Sequence, residues 1–204
     1  MPKIIKTHVD SFASLCVWHI TETEESLFKE LPLSATEETD IRSLKLLKRR
    51  LEKLGCRSAL SQLLNSYEEV SYSPNGAPKI STHNISFAHT ALYAAAAISE
   101  NYKIGVDIEK ITPKITTLYH KFLNSFEINH FDVCDEEQVH ILWGAKEAAY
   151  KLYEVKNLDF AQQINIHEFS EGKGKGVIKT ETEELSFQFF YQTVKDMMLV
   201  LAIG

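Results

Sequence analysis

The chain has 204 residues, 44% of them hydrophobic and 25% charged, with a formal net charge of −6. That length is enough for a real core in one domain or in two small halves, and the acidic balance excludes a general nucleic-acid binder. The three cysteines (Cys16, Cys56, Cys134) have no paired spacing, which argues against a disulfide framework and for a reducing, cytoplasmic setting.

Residues 14–20 read as a first buried strand, and the acidic stretch with Pro32 as short helix and loop. From about Glu37 to Asn65 the pattern is helical. Ile41, Leu44, Leu47, Leu51 and Leu54 fall on one side, Ala59, Leu60, Leu63 and Leu64 follow, and Gly55 marks a break or a close packing point. Within it, the stretch from Arg42 to Arg57 carries Arg42, Lys45, Lys48, Arg49, Arg50, Lys53 and Arg57 against one acid, Glu52. A solvated helix face accounts for such a run; so does a site for a phosphorylated ligand, held by donors and a local positive field.

Residues 67–73 read as a short strand and Ser73 to Pro78 as a turn. Asn84 to Thr90 then leads into an alanine-rich run ending at Ser99. This fits a pair of buried strands, or a strand followed by a tightly packed element, and periodicity does not decide between them. The longest apolar run, Ala91 to Ile98, is far short of the ~20 residues a membrane-spanning helix needs, and the N-terminus lacks a signal-peptide shape, so no membrane residence is expected. His89 taken alone is more often a hydrogen-bonded structural residue than a catalytic one.

Residues 103–109 form another strand, in which Asp107 and Glu109 share a face. Two like charges side by side repel unless a cation or a basic group lies between them. From Asp135 to Val155 the pattern is a helix with acids at its start and an apolar stripe of Val139, Leu142, Trp143, Ala149, Tyr150 and Tyr153. Lys146 falls inside that stripe and needs a carboxylate or phosphate partner if it stays charged; Glu147 and Lys151 lie one turn apart on its flank. Alone, these residues read as a surface ion pair beside a snorkelling lysine. Together with the strand acids, they allow three carboxylates to converge.

Residues 164–169, 175–179, 185–192 and 197–203 read as strands, and Lys173 to Gly176 as a hairpin turn without the context of a phosphate-binding loop. The order strand, helices, strands occurs from about 14 to 99 and again from about 104 to 203. The expectation is an α+β fold of two similar halves, 1–103 and 104–204, related by a pseudo-twofold, with a ligand in the cleft between them.

Four segments carry a family resemblance: Gly76-Ala77-Pro78, Ser86-Phe87-Ala88-His89-Thr90, Gly105-Val106-Asp107-Ile108-Glu109, and the helix stretch from Trp143 to Lys151, which matches W-x-x-K-E-A-x-x-K at every fixed position. Their order and spacing resemble the 4'-phosphopantetheinyl transferase superfamily, more closely its monomeric two-half members that activate peptide synthetases than its short trimeric ones. The resemblance implies Mg²⁺-dependent transfer of the 4'-phosphopantetheine arm of coenzyme A to a serine of an apo acyl or peptidyl carrier protein, with release of 3',5'-ADP. It implies Asp107, Glu109 and Glu147 as metal ligands, Glu147 and Lys151 as catalytic residues, and Lys45, Arg57, His89 and Lys151 as contacts to coenzyme A. Glu127 matches a further acidic position. Two positions depart from the family pattern: Ala88 stands where serine is usual before the histidine, and Ala77 where the turn usually has a basic residue. Both bear on coenzyme A affinity.

Three other readings follow from the residues. A diverged coenzyme A or nucleotide-binding protein would keep the pocket without transferring anything. An interaction protein would use these groups only as surface ion pairs. A metal-dependent phosphohydrolase would break coenzyme A down without a carrier.

Overall fold

A computed structural model describes residues 4–9, 12–64 and 66–204, which divide into two compact units, Met1–Tyr102 and Lys103–Gly204. In each, a run of helices lies in the chain between strands, and the fold is α+β.

In the first unit, β1 (Ile4–Val9) pairs antiparallel with β2 (Ala13–His19). Three helices follow: α1 (Glu24–Glu30), α2 (Ala35–Ser43) and α3 (Leu47–Ser61). The two-residue strands β3 (Ser71–Tyr72) and β4 (Pro78–Lys79) form a small hairpin, and β5 (Asn84–Thr90) and β6 (Tyr93–Ser99) complete a four-stranded sheet in the order β1-β2-β6-β5. The apolar run around the alanines is therefore a strand, with Ala94 to Ala97 all completely buried. α3 packs on β6 and β2. Gly55 is the close packing point, since a Cβ there would meet Ile20 Cδ1 at 2.6 Å and the Ala94 methyl at 3.1 Å.

The helical stretch expected from Glu37 to Asn65 is interrupted at residues 44–46, not at Gly55, and Asn65 lies outside the described residues. Leu44 and Leu46 are extended. The carbonyls freed by the break are taken by Arg50, whose Nη1 donates to Leu44 O (2.7 Å) and Lys45 O (3.3 Å). Leu47, expected on the buried face, is 51% exposed, because the break takes it off the stripe. β1 has no counterpart in the sequence reading.

In the second unit, β7 (Ile104–Lys110) is followed by 3-10 turns over Pro113–Thr117 and Tyr119–Lys121, then α4 (Ser125–His130), α5 (Glu136–Tyr153) and α6 (Phe160–Gln163). The strands β8 (Ile164–Ser170), β9 (Lys173–Lys179), β10 (Glu184–Val194) and β11 (Met197–Ile203) join β7 in an antiparallel sheet ordered β7-β11-β10-β9-β8. α5 is capped by Asp135, which accepts from the Glu137 and Gln138 N–H groups, and it crosses β7 and β11. Its buried surface is wider than the expected stripe. Ile141, Ala145, Ala148 and Leu152 are enclosed as well, because α5 packs against the sheet and against the 113–117 turn and β8.

The expected hairpin turn at Lys173–Gly176 is instead part of β9, and the turn sits at Glu171 and Gly172, both with positive φ. Gly174 and Gly176 lie opposite Phe189 and Phe187, whose rings occupy the space a side chain would fill: a Cβ would come within 2.3 Å and 2.5 Å of them. These glycines serve close ring packing within a strand, a role that turn-seeking rules misread.

Candidate active site

The floor of the site is β7. Alternation places Asp107 and Glu109 on one face, opposite Val200 and Met198 of β11. Two glycines let α5 come down onto this strand. A Cβ on Gly105 would lie 1.9 Å from Ala148 O and 2.7 Å from Leu152 N, and one on Gly144 would lie 2.6 Å from Val200 Cγ2 and 3.9 Å from Asp107 Oδ2. The chemistry-bearing acids thus sit between glycines that fix the distance from strand to helix.

Asp107 is only 5% exposed. Its Oδ1 accepts from Lys151 Nζ at 2.8 Å, and the same ammonium donates to Val106 O at 2.9 Å. Oδ2 is buried and has no hydrogen-bond partner among the described residues. Glu147 is pushed up to about 7 by burial, and by the negative charges of Asp107 and Glu109 against the opposing pull of Lys151. The Lys151 ammonium is thus bonded to Asp107 and opposes the upward shift of Glu147.

Among the described residues no three acidic, histidine or cysteine side chains stand in ready ligand geometry for a metal ion. The donor set nevertheless suits a hard divalent cation. All three groups are oxygen donors, the cluster carries excess negative charge, and one buried carboxylate oxygen of Asp107 is left unpartnered.

Next to this cluster, Lys146 is fully enclosed and donates to Glu127 Oε2 at 2.7 Å, to Phe160 O at 2.8 Å and to Ile164 O at 2.6 Å. Glu127 is the carboxylate that a lysine inside the stripe requires. Burial lowers the Lys146 pKa, with Glu127 opposing that shift. His140, also buried on α5, accepts the Thr112 N–H on Nε2 at 2.9 Å and so ties the segment after β7 to the helix; burial lowers its pKa. The His140 link had no sequence signal. Beyond Trp143, Ile115, Leu118, Lys121, Phe122, Asp159 and Phe160 complete the lining of an apolar cavity of about 450 Å³.

In the first unit the basic cluster is largely paired. Arg42 meets Glu38, Lys48 and Arg49 meet Glu52, and Arg50 meets Glu24. Lys53 donates to Tyr72 Oη. Arg57 is buried, and its Nε donates to Glu37 Oε1 at 2.8 Å. Burial works to raise the Glu37 pKa, but bonds from Tyr67, Arg57 and the Val70 N–H outweigh it and leave the carboxyl below its usual range. His89 Nδ1 lies 3.6 Å from Glu52 Oε1. Lys45 is exposed, with no ion pair among the described residues. Ala88 is buried, and the Ala77 N–H donates to Ser73 Oγ. Most of the positive charge that suggested a phosphate site is thus committed to acids on α1, α2 and α3.

Residues 103–203, nearly all of the second unit, match the family model described as the 4'-phosphopantetheinyl transferase superfamily. A search of curated proteins found no match.

Proposed function

Residues 103–203 of the chain belong to the 4'-phosphopantetheinyl transferase superfamily, and from that premise we propose that the protein transfers the 4'-phosphopantetheine arm of coenzyme A to a serine hydroxyl of an apo acyl or peptidyl carrier protein, with Mg²⁺, releasing 3',5'-ADP. The observation that carries the reading is the state of Glu147: a carboxyl raised to about 7 by burial and by Asp107 and Glu109, beside an Asp107 oxygen with no partner.

In this reading Asp107, Glu109 and Glu147 hold the cation, which when bound neutralises charge building on the bridging phosphate oxygens. Glu147 takes the proton of the incoming serine, directly or through a water. Lys151 has three N–H donors and spends two on Asp107 and Val106; the third is left for a phosphate oxygen of coenzyme A. Lys45, His89 and the guanidinium edge of Arg57 not used by Glu37 are assigned to the ligand's phosphates. The reading further takes the protein as a cytoplasmic monomer of the two-half type.

The test is incubation with coenzyme A, Mg²⁺ and a panel of apo carrier proteins, read by intact mass. A gain of one phosphopantetheine arm on a carrier is expected, and it should vanish in Asp107→Ala, Glu109→Ala and Glu147→Ala. Coenzyme A bound with every carrier left unmodified would leave a binding protein, and the transferase assignment would be withdrawn.

A further inference from the structure

The Glu127–Lys146 pair takes no part in the proposed chemistry, yet it is built with unusual completeness. Both side chains are 0% exposed. All three donors of Lys146 are used, on Glu127, Phe160 O and Ile164 O. Glu127 also accepts the Asn124 N–H on Oε2 (2.9 Å) and the Ile166 N–H on Oε1 (2.8 Å). A single ion pair therefore joins α4, α5, α6 and β8.

Phe160, whose carbonyl Lys146 holds, places its ring between Trp143 and Tyr150, with centroids 5.6 Å and 5.4 Å away. Trp143, Glu147 and Tyr150 stand at i, i+4 and i+7, so the α6 turn is fastened along the helix face from which Glu147 projects. A buried ion pair is a poor source of net stability, because desolvating both ions offsets most of their attraction. Its directional bonds fix where elements sit.

We infer that Glu127 and Lys146 are positioning residues: their ion pair fastens the α6 turn onto α5, so that Phe160 packs along the Trp143–Tyr150 face and Glu147 is held toward Asp107 and Glu109. The inference rests on the proposed transfer reaction.

The experiment replaces the pair as a unit in the full chain, as Glu127→Gln/Lys146→Met and, separately, as Glu127→Leu/Lys146→Met. Turnover is assayed with coenzyme A, Mg²⁺ and an apo carrier, thermal stability is measured, and amide exchange is followed over residues 160–166. Coenzyme A binding is measured by calorimetry. At least one double variant is expected to melt within a few degrees of the parent and to bind coenzyme A within about twofold. Its amides at 160–166 should lose protection, and its kcat should fall about 100-fold, as small misplacements of reacting groups do.

A stable double variant that turns over within about twofold of the parent would overturn the inference. So would kcat and coenzyme A affinity falling together, or neither double variant folding, since each outcome makes the pair a support of the whole fold. The two levels of failure separate cleanly. A parent that modifies no carrier sinks the reaction and this inference with it, whereas a working parent beside an equally good double variant sinks the inference alone.

Discussion

Lys146 and Glu147 are neighbours in sequence and opposites in circumstance. Lys146 lies in a closed arrangement in which every N–H has an acceptor and its carboxylate partner is itself fully bonded. Glu147 lies in an open one, where the charges of Asp107 and Glu109 press on its carboxyl and a buried oxygen of Asp107 has no donor among the described residues. Both clusters are ionic and largely buried, so burial of charge alone does not mark a functional site. What separates them is whether the fold itself satisfies the charge. A closed cluster holds elements together; an open one holds a cost that a ligand can relieve.

The contrast can be broken most directly at Lys146. Lys146→Ala leaves Glu127 buried and charged, and should cost about 3–5 kcal/mol in denaturant unfolding; a loss under about 1 kcal/mol would mean the cluster is not closed in solution. Glu147→Gln should do the reverse in metal-free protein. Glu147 has its ordinary value of 4.5 when unfolded and about 7 when folded, so its contribution to stability is complete below about pH 4.5 and is lost as pH rises to about 7. The variant should therefore be more stable than the parent by up to ~3 kcal/mol at pH 8 and no different near pH 4, a slope that urea titrations across pH would reveal.

Lys151→Met removes the positive charge that opposes the upward shift of Glu147, whose titration midpoint should climb above the parent's when followed by carboxyl NMR; stability should fall by about 1–2 kcal/mol as Asp107 loses its partner. The smallest effect belongs to a pair that is neither closed nor functional. Arg42 and Glu38 are both about half exposed, and Arg42→Ala should stay within ~0.5 kcal/mol of the parent.

Much of this contrast was legible in the chain. The two-residue spacing of Asp107 and Glu109, and the one-turn spacing of Glu147 and Lys151, encode faces of a strand and a helix, and the structure brings Asp107 and Lys151 into contact. Lys146 announced its need for a carboxylate or phosphate partner by falling inside an apolar stripe, but which group would answer was hidden. Glu127 is nineteen residues away across a loop, and no local pattern joins them. The pairing of the basic run from Arg42 to Arg57 was hidden for a similar reason. Glu24 and Glu37 reach Arg50 and Arg57 from other helices, and Glu38 meets Arg42 from just before the run, so counting charge from Arg42 onward overstated what remained unpaired. The strand glycines of β9 were misread because turn rules see a missing side chain as conformational freedom, whereas here two phenylalanine rings occupy the vacated space. Where a signal is periodic it survives in sequence; where it depends on which loops close, it does not.

Gly105 carries one more consequence. Any group larger than hydrogen at that position would strike a backbone carbonyl of α5, so the gauge of the whole constellation is set by an atom that does no chemistry. A saturation screen scored only on product would rank this glycine beside the carboxylates, and a designer transplanting the acids to another scaffold without it would obtain the right letters at the wrong separation.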